Sequence, residues 1–343
     1  MHCAARQRLE DQEIKSFLGR SRRVCRKCEN RLVAAKKASN VQELTIEGKT
    51  LKLSNLDKMF FPAAEFTKGQ LIDYYIRIAN CLLPHLKNRP VTLIRYPDGV
   101  GGKFFYEKDA PKYTPEWVKT FPVPRRKGGT DIRYILVNDL ATLVWCANIG
   151  TIEFHSFLHR VPAIERPKAV VFDLDPGEGT NILDCIKVAF LLREVLGGLK
   201  LEACPKVSGS KGIQIYVPLN TAITYDKTRA FARTVAQVLE KQHPQLIISE
   251  MTKSARTKKV FIDWSQNSDF KTTASVYSMR AKRELPFISA PVKWEELEQA
   301  TERNDPASLD FSPAAAVWRC EKLGDLFAPV LTMKRKLVMI DGR

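Results

Sequence analysis

Apolar and polar positions along the chain alternate in short runs interrupted by two kinds of longer periodic segment. Residues 44–47 and 51–53 alternate on either side of Gly48-Lys49, which predicts a hairpin. Leu71, Tyr75, Ile78 and Leu82 recur at helical spacing behind Thr67, a good N-cap residue, and Pro84 follows. That pattern predicts a helix over about 68–83 that the proline stops. Residues 91–95 read as a strand, the turn Pro97-Asp98-Gly99 follows, and 104–106 read as another strand. Residues 125–131 form a polar, glycine-containing loop, and Leu140–Asn148 a short helix.

A second series begins near Pro167. Residues 169–174 are apolar and β-branched, a strand ended by Asp175-Pro176-Gly177. A helix is expected over 181–196, ended by Gly197-Gly198. Strands at 203–207 and 213–217 flank Ser208-Gly209-Ser210-Lys211-Gly212. Phe231, Val235, Val238 and Leu239 give 225–241 one apolar helical face, and 260–264 and 272–278 read as two further strands. This order predicts an α+β (mixed α/β) fold, a mixed sheet with helices packed on it rather than an all-parallel nucleotide fold. It divides into a lobe over 44–165 and a lobe over 166–343.

Composition narrows the classes. The chain has 343 residues, long enough for two domains or for one large domain with a companion lobe. No apolar run approaches the roughly 20 residues that span a bilayer, and the first residues show no apolar signal core. An integral membrane protein, a disordered chain and a disulfide scaffold are excluded on this reading. The expectation is a cytoplasmic protein with no membrane partner. With 55 Lys+Arg against 38 Asp+Glu, the net charge of +17 points to a polyanion, nucleic acid first. Residues 1–40 alone carry eleven basic and four acidic side chains, so 1–43 reads as a basic N-terminal extension. Cys25 and Cys28 within it invite zinc, but a closed site needs four ligands and only His2 and Cys3 remain nearby. A solvated basic arm is the favoured reading. The eight cysteines are dispersed, which favours reduced thiols.

The candidate chemistry sits at strand ends. Asp173 and Asp175, spaced i, i+2, fall on one face of a strand, and two carboxylates that close repel unless a cation lies between them. Mg²⁺ or Mn²⁺ is the natural counter-charge; the competing reading is a capping turn rich in Asp. Asp263 ends another apolar strand and makes a third carboxylate. Three aspartates on adjacent strands suit a two-metal site, which leaves nuclease, polymerase and phosphatase open. The loop from Ser208 to Gly212 offers backbone N–H groups and the charge of Lys211 to a phosphate, and with Arg280 it favours a triphosphate. Lys58, Lys68, Lys103 and Lys108 interleave with Phe60-Phe61 and Phe104-Phe105-Tyr106, a pattern suited to nucleic acid unless the aromatics belong to a core. His155, taken alone, reads more readily as a satisfied structural residue than as a ligand.

Taken in order, these segments resemble the polymerase domain of bacterial DNA ligase D, an archaeo-eukaryotic-primase-type polymerase of nonhomologous end joining. LDKMFFP (56–62), TKGQLIDYY (67–75), FFYEKDAP (104–111), IEFHSFLHR (152–160), RPKAVVFDLDPG (166–177), SGSKGIQIYVPL (208–219) and YSMRA (277–281) carry the resemblance. It implies a primase-polymerase fold with an RRM-like catalytic sheet and an N-terminal α/β lobe. It implies metal-binding catalytic roles for Asp173, Asp175 and Asp263, and nucleotide contacts for His155, Ser208, Lys211 and Arg280. Lys58 and Lys68 would recognise a 5′-phosphate across a gap, and Phe104 and Phe105 would buttress the template. The implied activity is addition of nucleotides, ribonucleotides preferentially, to 3′-OH ends with Mn²⁺ or Mg²⁺ and an NTP or dNTP substrate. DNA with 5′-phosphate ends or gaps is the implied partner, with Ku and a separate DNA ligase beside it; no adenylation KxDG motif occurs in the sequence. Two positions depart from the pattern. Gln214 stands where the resemblance implies a histidine and Gln266 where it implies an arginine. A neutral donor contributes about 1 kcal/mol where a charged one contributes about 1.5–3. The alternative is therefore a DNA-end-binding module with weakened catalysis.

Overall fold

In the computed structural model, which describes residues 32–38, 41–126 and 128–337, the chain opens with an antiparallel sheet of β1 (Leu32–Ala38), β2 (Val41–Ile46) and β3 (Lys49–Ser54). Glu47 and Gly48 both take positive φ (51° and 76°) between β2 and β3, the backbone twist that a two-residue hairpin requires. Residues assigned from sequence to the basic extension thus include a paired strand, β1. Residues 1–31, with Cys25 and Cys28, lie outside the described residues.

β4 (Met59–Phe61) and β5 (Phe66–Thr67) form a short hairpin leading into helix α1 (Lys68–Leu86). Thr67 and Gln70 close a capping box at its start. The helix runs past Pro84 instead of stopping there. A proline in the last turn forfeits little helical bonding, and the buried His85 and Leu86 beyond it hold that turn in the core. Then come β6 (Pro90–Arg95), β7 (Phe105–Glu107), β8 (Thr120–Val123), β9 (Ile132–Leu136), α2 (Leu140–Asn148) and β10 (Thr151–Ser156). Asp139 caps α2 through Thr142 N at 2.8 Å.

The second lobe contains β11 (Ala169–Pro176), α3 (Ile182–Gly198), β12 (Cys204–Val207), β13 (Ile213–Pro218), α4 (Tyr225–Gln242), β14 (Ile247–Ile248) and β15 (Val260–Asp263). Its sheet has the order β12-β13-β11-β15-β14. The first four of these strands are antiparallel neighbours and only β14 runs parallel to β15. Together with α3 and α4, which pack on β11 and on each other, those four strands follow the β-α-β-β-α-β order expected of an RRM-like sheet. The mixed α/β expectation is met.

The tail supplies β16 (Thr273–Ala274), β17 (Met279–Arg280), β18 (Phe287–Ile288) and helices α5 (Trp294–Glu302), α6 (Pro313–Leu323) and α7 (Pro329–Thr332). Residues 272–278 are not the one strand their pattern predicts. β16 adds to the edge of β10, completing the sheet β16-β10-β6-β9-β8 with β7 on β6. The chain then turns at Tyr277 (φ 64°) so that β17 can pair with β18. That turn carries Arg280 from one sheet toward the other. Buried apolar side chains from Leu44 to Val330 form one cluster through both lobes. Cys81 on α1 and Cys320 on α6 are joined by a disulfide, contrary to the expectation of reduced thiols throughout. Their 239-residue separation hides the pairing from any reading of local sequence. Among the described residues no helix is long and apolar enough to cross a membrane.

Candidate active site

A run of register partners crosses four strands of the second sheet. Lys206 on β12 lies opposite Gln214 on β13, Gln214 opposite Asp173 on β11, and Asp173 opposite Asp263 on β15. Directly opposed residues share a face, so charge from both signs is concentrated in one row. Asp173 and Asp175 line a cavity of about 250 Å³ together with His155, Ser208, Ser210, Lys211, Gln214, Gln266 and Arg280. Thr272, Thr273 and Ala274 at the β16 edge complete the wall.

Burial, and then the charges of Asp175 and Asp263, push the Asp173 carboxyl up to about 7. A hydrogen bond from Gln214 and the charge of Lys206 oppose that rise. Burial and Asp263 likewise raise Asp175, against Arg256 and Arg280. Lys206 is fully buried, its ammonium donating to Ser289 Oγ at 2.6 Å. Burial and the neighbouring Arg280 bring it down to about 7.

Asp263 is turned into its own chain. Its Oδ1 accepts from Ser265 N (2.9 Å) and Oγ (2.5 Å), and its Oδ2 accepts from Gln266 Nε2 (3.0 Å) with Lys271 Nζ at 3.8 Å. Among the described residues no three His, Cys, Asp or Glu side chains are arranged to hold a metal ion. The donor chemistry nevertheless fits a divalent cation. Burial and then like charges raise the carboxyls on β11, a repulsion that a cation would relieve, and carboxylate oxygens suit Mg²⁺ or Mn²⁺. Asp263 would join them by turning away from Ser265 and Lys271.

The phosphate-binding candidate is built on two glycines. Gly209 has φ +67°, and a Cβ there would sit 2.8 Å from the Ile288 carbonyl carbon. At Gly212 a Cβ would come within 2.1 Å of Leu174 O, so only glycine lets this loop lie against β11. Ser208 Oγ accepts from Ser210 N and Gly212 N, each at 3.2 Å. Its hydroxyl therefore orders the loop, while Lys211 stands exposed at the cavity.

Glu153 was not singled out by the sequence, yet it joins two residues that were. Its Oε2 lies 2.7 Å from His155 Nε2 and accepts from Arg280 Nε at 2.9 Å; its Oε1 accepts from Ala281 N at 2.9 Å. Arg280 Nη1 also donates to Ser208 O at 2.5 Å. Burial works against the Glu153 anion, but the His155 bond and Arg280 outweigh it and hold the carboxyl down at about 2. Burial lowers His155 in turn. The only sequence signal was a carboxylate two residues before His155, on the same strand face, between Ile152 and Phe154.

Elsewhere the structure divides the basic-aromatic candidates. Lys58 and Lys68 come together at the β4–β5 hairpin, where burial and the Lys58 charge bring Lys68 down to about 8. Lys68 Nζ donates to Ser54 O at 2.6 Å and Lys58 Nζ to Asp98 Oδ1 at 2.5 Å. Phe60 and Phe61 are core residues, so that half of the expected aromatic surface is absent. Phe104, Phe105 and Tyr106 are exposed, with Phe104 stacked on Tyr96 and Lys282 Nζ over the Phe104 ring at 5.7 Å from its centre. Lys103 and Lys108 are exposed beside them.

A family model described as "LigD, primase-polymerase domain" matches residues 67–327. The multifunctional non-homologous end joining protein LigD of Mycolicibacterium smegmatis is 38% identical over 282 residues, 82% of this chain and 36% of that protein. The bifunctional LigD of Bacillus subtilis is 35% identical over 251 residues, 73% of this chain and 40% of that protein. This chain thus spans well under half the length of these relatives. Among solved structures, the polymerase domain of Mycobacterium tuberculosis ligase D in complex with DNA superposes with a TM-score of 0.77 at 35% identity, covering 83% of this chain and 99% of that one.

Proposed function

Because the chain belongs to the LigD primase-polymerase domain family, we propose that it is a metal-dependent nucleotidyltransferase that extends 3′-OH ends during gap filling in double-strand-break repair. The observation that carries this reading is the shared cavity. The carboxylates of β11, the Ser208–Gly212 loop, Lys211 and Arg280 all face one space of about 250 Å³. Acid groups without a phosphate cradle would serve a nuclease equally well; the cradle favours a triphosphate substrate.

The residues divide the task by charge. Lys211 and the loop N–H groups not already bonded to Ser208 Oγ bind the triphosphate, and Arg280 stabilises negative charge as pyrophosphate leaves. Mn²⁺ or Mg²⁺ held by Asp173, Asp175 and Asp263 supplies neutralisation of the triphosphate and a lowered pKa at the 3′-hydroxyl. Lys58 and Lys68 hold the 5′-phosphate on the far side of a gap, and Phe104 and Phe105 stack against template bases. Ribonucleotides are the preferred substrate on this reading, and Ku and a separate DNA ligase are its proposed partners at the break. The test is primer extension on a gapped duplex with a 5′-phosphate, with Mn²⁺ or Mg²⁺ and with ribo- and deoxyribonucleotides in parallel. Extension that Asp173→Ala abolishes is expected. No extension by the native protein, or equal extension by the variant, overturns the proposal.

A second reading, a DNA-end-binding module with weakened catalysis, is favoured by one observation. Both glutamine amides are engaged with aspartates, Gln266 Nε2 with Asp263 Oδ2 at 3.0 Å and Gln214 with Asp173, so neither of these cavity-lining positions presents a cation to it. Under it Gln214→His raises extension by tenfold or more. Efficient turnover by the native protein removes it.

A further inference from the structure

The cavity's nucleotide side depends on a carboxylate that belongs to the other sheet. Glu153 lies on β10, in the first lobe's sheet, and is 1% exposed. Three donors converge on it: His155 Nε2, Arg280 Nε and Ala281 N. Arg280 has two of its nitrogens fixed, Nε by Glu153 and Nη1 by Ser208 O, and it lines the cavity. His155 is likewise fixed through one ring nitrogen and lines the same space. A guanidinium held through both Nε and Nη1 can rotate only by breaking charge-assisted bonds.

We propose that Glu153 is the positioning residue of the triphosphate site, aiming Arg280 and His155 into the cavity and, through Arg280, tying the Ser208–Gly212 loop to β10. The carboxylate touches no substrate itself. It acts by orientation, because a donor displaced by an ångström loses most of its bond to a phosphate oxygen. The proposal rests on the triphosphate reading above and makes no demand on the DNA-binding face. Among the described residues no hydrogen bond or ion pair joins Lys58, Lys68 or Phe104 to Glu153, so DNA binding is expected to survive its substitution.

The experiment measures equilibrium binding of ATP, with and without Mg²⁺, and of a 5′-phosphorylated gapped duplex, in native protein and Glu153→Gln. Glu153→Gln is expected to weaken ATP at least tenfold, in both conditions, while the duplex affinity stays within twofold. Glu153→Asp, which keeps the charge on a shorter stem, is expected to recover part of the loss. Removing a buried anion leaves Arg280 unpaired and can unfold the chain. Arg280→Gln and the double variant Glu153→Gln/Arg280→Gln, which remove both charges, therefore complete a cycle. Acting through Arg280, the Glu153 substitution adds less than threefold once Arg280 is gone. ATP affinity unchanged in Glu153→Gln overturns the proposal, as does equal weakening of ATP and duplex, or full additivity in the cycle. Native protein that binds ATP but extends no primer overturns the polymerase reading alone and leaves this cycle readable.

Discussion

Asp173 on β11 lies directly opposite Asp263 on β15. Burial, followed by the charges of Asp175 and Asp263, pushes the Asp173 carboxyl up to about 7. A carboxyl raised in the folded state costs stability when it ionises. That cost is absent below the ordinary value of 3.8, grows as pH rises, and is complete above about 7. Asp173→Asn is therefore expected to abolish extension and yet raise the melting temperature in metal-free buffer at pH 8 by about 2–4 °C. Melting curves from pH 4 to 8 check this, the gain shrinking toward pH 4. A lower melting temperature at pH 8 contradicts it.

Lys68 gives the opposite pH sense on the DNA side. Only its ammonium form attracts a 5′-phosphate, and with its pKa brought down to about 8 the charge is mostly lost by pH 9. The preference for 5′-phosphorylated over 5′-hydroxyl ends should fall about tenfold between pH 7 and 9. Lys68→Arg keeps its charge over this range and should flatten the profile. Binding titrations of the two duplexes at each pH measure it, and a flat native profile refutes it.

Two glycines separate loop geometry from helix propensity. Gly212→Ala places a methyl 2.1 Å from Leu174 O and is expected to cost about 2–3 kcal/mol and abolish ATP binding. Gly197→Ala, in the last turn of α3, meets nothing within 4 Å and should stabilise by about 0.5 kcal/mol. Urea unfolding of both variants distinguishes them.

The two aromatic pairs should also part company. Phe104 is 46% exposed and Phe61 fully buried. Phe104→Ala is expected to weaken DNA binding by about 1–3 kcal/mol at unchanged melting temperature. Phe61→Ala should cost about 3–5 kcal/mol of stability instead. Equal stability losses in the two variants would contradict this division.

Local signals were legible wherever the chemistry was local. Thr67 and Asn181 cap α1 and α3 with the reciprocal bonds that their types allow, and the Asp173-Leu174-Asp175 run ends the strand its apolar lead predicts. The Ser208–Gly212 loop and Arg280, both singled out in the sequence, meet at one cavity. What the sequence concealed depends on distant partners. Glu153 looks like a stray charge in an apolar strand until β17 delivers Arg280 to it, 127 residues later. Lys206 carries no signal of its own in the sequence, and Ser289, which accepts from its ammonium in the core, comes 83 residues on. Phe60-Phe61 and Phe104-Phe105 are the same dipeptide, and only packing sends one inward and leaves the other outside.

The Cys81–Cys320 bond closes the intervening chain into a covalent ring. Every residue lining the cavity, from His155 to Arg280, belongs to that ring. Lys58 and Lys68 precede Cys81 and so lie outside the ring. The cavity is thus encircled, while these two lysines sit on the stretch of chain that leads into the ring. A thiol reductant would open the circle without touching a single group that faces either ligand.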